Sequence, residues 1–145
     1  MKNTILQISI FAQNKPGQIV RITKVLAKQK INILAFSISS SDGFGVIKLV
    51  VDKGNIAFQY LKEHGFTLSQ NRVLALAIKD KPGGLYEMAE TLHKKRVNVE
   101  NAYVFVKELR KTAYLIIEVK NVEKALGTLK KEKIRFLQES EFSKE

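Results

Sequence analysis

NKPGQ at residues 14–18 returns as DKPGG at 80–84, and the two prolines of the 145-residue chain, Pro16 and Pro82, both lie inside these copies. An offset of 66 lays Lys15-Pro16-Gly17 on Lys81-Pro82-Gly83 and Ile19 on Leu85. The same offset lays Ile22 on Met88, Leu26 on Leu92 and Ile31-Asn32-Ile33 on Val97-Asn98-Val99. After two extra residues in the second copy's hairpin, an offset of 68 lays Ala57, Phe58 and Leu61 on Ala125, Leu126 and Leu129. Self-similarity at a fixed period marks a duplicated structural unit. The chain therefore divides into two domains, 1–69 and 70–145.

Each copy carries the same succession of signals. NTILQISIFA alternates, with Leu6, Ile8 and Ile10 on one face, and VLALAI at 73–78 does the same with Leu74, Leu76 and Ile78, so each copy opens on a strand. A Pro-Gly turn follows, with Pro placed for the first helical turn, where its missing N–H has no partner to lose. Helices are predicted over 16–29 and 82–95, with positions 19, 22, 26 and 85, 88, 92 on their apolar faces. β-rich runs at 31–40 and 97–107 pair with FGVIKLVVD and TAYLIIEVK, and Ser41-Asp42-Gly43 is a hairpin signal. A second amphipathic helix and a short closing strand, holding Phe66 and Leu68 or Ile134, Phe136 and Leu137, complete each copy.

The order β-α-β-β-α-β makes two crossovers that share a hairpin. This gives the α+β class: two ferredoxin-like sandwiches in tandem, each an antiparallel sheet with its helices on one face. A unit of about 66 residues has a marginal core by itself, so association with a second chain is expected.

Bulk composition narrows the function. Hydrophobic residues make up 45% of the chain, enough for a core, and no stretch approaches the roughly 20 apolar residues that cross a bilayer. The opening residues alternate where a signal peptide would be continuously apolar, so a cytoplasmic protein with no membrane partner is expected. Cysteine is absent, which removes disulfides, thiol nucleophiles and thiolate metal sites together. His64 and His93 have no partner at ligand spacing, and neither a nucleophile motif nor a phosphate loop occurs. No enzyme, no metal and no cofactor is the expectation.

The formal charge of +11 raises nucleic acid as a partner, but the charge is scattered: residues 1–66 hold 9 basic and 3 acidic residues, and 67–145 hold 16 and 11. DGFGVIKL at 42–49 has the outline of an RNA-reading third strand, yet Asp42, Val46 and Leu49 stand where a base and two aromatics belong. Phe44 alone is left to stack a base, and the second copy keeps nothing of the pattern. An RNA reader on the open sheet face is thus the alternative, not the main reading.

NKPGQIVRITKVLAKQKINI and DKPGGLYEMAETLHKKRVNV resemble the opening of ACT domains, regulatory modules of ferredoxin-like fold attached to amino-acid biosynthetic enzymes or free-standing in tandem. The resemblance covers nearly the whole chain as two copies. It implies a protein that senses an amino acid at the first strand-to-helix loop, across an interface between domains or subunits. The implied partners are an amino-acid effector, a second copy of the chain as homodimer, and an unidentified enzyme. Carried over by position, the site of copy one is Asn14, Pro16, Gly17, Gln18 and Asn32. That of copy two is Asp80, Gly83, Gly84 and Asn98. Backbone N–H groups at a helix start favour a carboxylate, and glycine allows close approach. Asp80 would repel that carboxylate, making copy one the tighter site. A dimerisation module whose ligand sites have decayed is the remaining reading.

Overall fold

The computed structural model describes residues 2–145. Eight regular elements form the first copy and the opening of the second: β1 (Ile5–Gln13), α1 (Gln18–Lys28), β2 (Ile33–Ser41), β3 (Phe44–Val51), α2 (Gly54–Glu63), β4 (Thr67–Lys79), α3 (Gly84–Lys94) and β5 (Asn101–Glu108). β6 (Thr112–Glu118), α4 (Val122–Leu129) and a 3-10 turn at Glu139–Glu141 follow. The order is the βαββαβ pattern twice, in two ferredoxin-like units.

The copy-one unit comprises Leu6–Asn71 with Phe142–Glu145. β3 pairs antiparallel with both β1 and β2, in registers that set Ile10 opposite Ile47 and Phe36 opposite Leu49. Residues facing one another across a ladder share a sheet face. Ile8, Ile10, Ile47 and Leu49 thus present one apolar face, and α1 and α2 cover it with Ile22, Val25, Leu26, Ala57 and Leu61. Truncating one of the fully buried leucines, such as Leu26, would cost about 2–5 kcal/mol. The β2–β3 turn has Asp42 at φ 51° and Gly43 at φ 82°, the two positive angles of a two-residue hairpin turn of the primed kind.

The copy-two unit comprises residues 2–5 and Arg72–Glu141. Here β6 pairs antiparallel with β4 and β5, and Leu74, Leu76, Leu115 and Ile117 form the face that α3 and α4 bury with Met88, Leu92, Leu126 and Leu129. α4 starts on Asn121, whose side chain accepts the Lys124 N–H at 3.0 Å.

The termini depart from a simple cut at residue 69. Arg72 donates to the Thr4 hydroxyl and carbonyl oxygens, both at 3.0 Å, and the Asn3 N–H reaches Gln138 Oε1 at 3.0 Å, so the chain's start belongs to copy two. Its end belongs to copy one, where the Lys144 N–H meets the Asp52 carbonyl at 2.8 Å and Glu145 accepts from Asn55 and from the Ile56 N–H, each at 3.0 Å.

Three expectations are corrected. The closing strand of copy one and the first strand of copy two are one 13-residue strand, β4, because SQNR at 69–72 contains neither Gly nor Pro to interrupt it. The closing segment of copy two forms only a bridge, Leu76 to Phe136, flanked by the Ala77 N–H to Arg135 and Leu137 N–H to Ala75 bonds. In the first helical turn, Ile19 and Leu85 stand 45% and 50% exposed, so the buried face of α1 is Ile22, Val25 and Leu26.

Candidate ligand-binding corner

Lys15-Pro16-Gly17-Gln18 is a tight turn that precedes α1. The Gln18 N–H points back to the Lys15 carbonyl at 3.4 Å, and Gly17 sits at φ 91°, ψ −11°. Lys81-Pro82-Gly83-Gly84 repeats it, with a 3.0 Å bond and Gly83 at φ 87°, ψ −11°. Proline second and glycine third, the latter in the left-handed region, is the requirement of a type II turn. The prolines recur for this turn and lie outside the helices, which corrects their placement in the first helical turn.

The residue before each turn fastens it to the neighbouring hairpin. Asn14 donates its N–H to the Gly43 carbonyl at 2.7 Å. Asp80 does more: its N–H approaches the Lys111 carbonyl at 3.5 Å and its Oδ2 accepts the Arg110 N–H at 2.5 Å.

Around the copy-one turn lies a cleft of about 140 Å³, lined by Asn14, Pro16, Gly17 and Gln18 together with Ile38 of β2 and Ile47 of β3. This is a small cleft, of a size to take a ligand on the scale of an amino acid. No side chain caps the start of α1 and its first turn holds no acidic residue, so the positive end of the helix dipole is unopposed there. Exposed Ile19, Val20 and Ile38 surround the cleft. β2 pairs only with β3, which leaves it an edge strand.

Copy two arranges the same positions differently. Its cleft, about 370 Å³, runs beside α3 past Lys79, Gly84, Glu87, Thr91 and Glu132, and Asp80 and Gly83 do not line it. Glu87 stands in the first turn of α3. A Cβ at Gly84 would lie 1.9 Å from the Lys79 carbonyl oxygen, so only glycine fits.

Asn32 and Asn98 lie at the far ends of α1 and α3. An 11-residue helix at 1.5 Å per residue is about 16 Å long, which separates each Asn from its unit's turn. The Asn32 N–H bonds Asp52 Oδ1 at 2.9 Å and its carbonyl accepts the Asp52 N–H at 3.0 Å, tying the start of β2 to the end of β3. Asn98 borders a shallow surface depression with His93, Lys94 and Arg96. The structure thus gathers Asn14, Pro16, Gly17 and Gln18 at one cleft and leaves the two later asparagines apart from it. The apolar rim was missed in the sequence, where its signal was Ile38 of the edge strand β2 with Ile19 and Val20 at the start of α1.

Residues 3–145 match the sequence family described as an ACT domain pair. The chain belongs to the ACT family. Among solved structures, this ACT pair is similar to protein BT0572 from Bacteroides thetaiotaomicron, at 29% identity over 99% of each chain with a TM-score of 0.89. It also shares its fold with the ligand-free regulatory subunit of aspartate kinase from Thermus thermophilus, at 15% identity over 90% of this chain and 93% of that one, TM-score 0.63. The corresponding subunit from Thermus flavus gives 15%, 90%, 93% and 0.60. No curated protein matches. Among the described residues of the ACT pair, no helix is long and apolar enough to cross a membrane, and no three His, Cys, Asp or Glu gather as a metal site.

Proposed function

We propose that this ACT pair is a regulatory protein that binds a free amino acid at the copy-one corner and passes occupancy to a partner enzyme in the cytoplasm. Membership of the ACT family supports a regulatory, ligand-binding role. The observation that carries the reading is the cleft at an uncapped helix start with no acidic side chain in its first turn. An α-carboxylate would accept from the first N–H groups of α1, where Gly17 keeps side chains away. Asn14, neutral and at the rim, would bond either end of the zwitterion. A homodimer completes the site in this reading: a second copy laid against edge strand β2 and the first turn of α1 would cover Ile19, Val20 and Ile38 and exclude water from the ligand.

The test is a thermal-shift screen of the twenty amino acids, with calorimetry on Asn14→Ala and light scattering. One amino acid should stabilise a dimer, and Asn14→Ala should weaken its binding by about 1–3 kcal/mol. No shift from any amino acid at millimolar concentration would favour a ligand-free dimerisation module, and a monomer at micromolar concentration would remove the shared site. A second reading, single-stranded RNA on the sheet, has one observation in its favour: Phe11 and Phe44 are 45% and 65% exposed on the sheet face away from the helices, beside Lys48. It expects a salt-resistant complex lost in Phe44→Ala. Ours expects weak binding that disappears at physiological salt.

A further inference from the structure

On the flank of the copy-one unit, α1 and the turn between α2 and β4 enclose a groove of about 250 Å³ lined by Arg21, Lys24, Val25, Lys28, His64 and Phe66. Arg21, Lys24 and Lys28 recur at i, i+3 and i+7, so they form one stripe along the helix. No carboxylate lines the groove, and none of the three is in an ion pair among the described residues. Arg21 is held in place: its guanidinium lies 4.8 Å from the centre of the Phe66 ring and donates to Gln18 Oε1 at 2.9 Å. His64 Nδ1 lies 2.8 Å from the Tyr60 carbonyl and donates to it, which leaves Nε2 as the ring atom available to a ligand.

The duplicated unit serves as an internal control. The equivalent groove of copy two has Glu87, Thr91, Glu132 and Ile134 in place of Arg21, Val25, His64 and Phe66, and Glu90 in place of Lys24. Two of the carboxylates there are answered locally: Glu90 by Tyr86 Oη at 2.6 Å and Lys94 Nζ at 3.1 Å, Glu132 by Lys95 Nζ at 3.4 Å. Copy two thus has carboxylates where copy one has Arg21, Lys24 and His64, though it keeps Lys94 at the position of Lys28 and adds Lys79 and Lys133 to the lining, whereas copy one gathers four basic side chains with no carboxylate in the lining.

We propose that the α1 groove of copy one is a second ligand site, distinct from the Pro-Gly corner, for a small molecule bearing phosphate groups. The seven helical steps from Arg21 to Lys28 span about 10 Å, the reach of two phosphoryl groups or of one with an organic part attached. Arginine's planar fork and two mobile ammonium groups suit tetrahedral oxyanions, and Val25 offers an apolar wall for the remainder. The groove is too small for a stacked run of bases.

The probe is inorganic pyrophosphate, titrated by calorimetry and thermal shift at constant ionic strength set with sodium chloride. Saturable stabilisation is expected, with affinity at least tenfold weaker in Arg21→Gln/Lys24→Gln and unchanged in Asn14→Ala and Glu87→Gln. Lys28→Gln/His64→Gln, on a different pair of lining residues, should also weaken it and carries the test if the first variant misfolds. A response that never saturates, or equal affinity in the variants, overturns the proposal. So does a single-stranded oligonucleotide that binds through these residues where pyrophosphate does not. Because Asn14→Ala leaves this site intact, failure here and failure of the amino-acid site are separable.

Discussion

At Lys15–Gln18 and at Lys81–Gly84 the chain makes the same turn, with Gly17 and Gly83 within a few degrees of one another, yet the first turn lines its cleft with Pro16, Gly17 and Gln18, and the second contributes Gly84 to a cleft that runs beside α3. In copy two the helix start presses on the Lys79 carbonyl so closely that Gly84 has no room for a Cβ, and Asp80 is drawn onto the Arg110 N–H. In copy one Gln18 takes the place of Gly84, and Asn14 anchors the turn by its backbone N–H. Duplication preserved the backbone device in both units while the side chains diverged, in one toward local closure and in the other toward an accessible helix start. The same divergence runs along the helices, basic on α1 and acidic in the first turns of α3.

The sharpest way to break this comparison is at the fourth turn residue. Gly84→Ala puts a methyl group against a backbone oxygen that a side-chain rotation cannot move, and the expected loss is about 3 kcal/mol or more in urea unfolding. Gln18→Ala, at the equivalent place, should change stability by no more than about 0.5 kcal/mol. A Gly84→Ala protein as stable as the parent would mean that the copy-two corner is not held closed by its backbone.

A smaller effect is expected at the residue before the turn. Asp80→Ala removes the acceptor of the Arg110 N–H and should cost about 1–2 kcal/mol, with the β5–β6 hairpin exchanging its amide hydrogens faster. Asn14→Ala keeps the backbone bond to Gly43 and should be close to neutral for folding. Its effect belongs to ligand binding. Equal destabilisation by the two variants would erase the functional distinction drawn between the corners.

Most of the fold was legible because its signals are periodic and occur twice. Alternation in β1 and β4, the Pro-Gly turns and the apolar spacing of Ile22 and Leu26 each recur at one offset, and Asp42-Gly43 specifies its own turn. What escaped the reading has no local signature. Lys30 and Arg96 end α1 and α3 at φ 55° and 56°, a conformation usually signalled by glycine, and here carried by long basic side chains. The exchange of chain ends depends on pairings between residues far apart in sequence, such as Asn3 with Gln138. For the site, Asn14 to Gln18 could be read from the turn itself. Asn32 looked similar in sequence but stands a helix length away, and the α1 groove came into view only when His64 and Phe66 folded against Arg21.

The mildest test concerns how each copy ends. Copy one closes with Thr67–Asn71 inside β4, whereas copy two closes with the Leu76–Phe136 bridge and a 3-10 turn fastened by Glu141. The Glu141 carboxylate accepts the Gln138 N–H at 2.8 Å, contacts Arg135 and lies 4.0 Å from Lys107 Nζ. The Gln138 hydrogen bond, against some desolvation and with help from the Arg135 and Lys107 charges, holds its carboxyl below the usual range. A depressed folded-state value means that the charged form is favoured by folding. The stabilisation is therefore complete above the ordinary carboxylate value of about 4.3, and is lost as pH falls through the lower folded value. Exposure and screening limit it to about 0.5 kcal/mol. Glu141→Gln should accordingly lower stability slightly at pH 7 and match the parent near pH 3, with the loss confined by hydrogen exchange to amides around Ala75, Ala77 and Leu137. A loss of the same size at both pH values would show that packing, and not this carboxylate, secures the end of copy two.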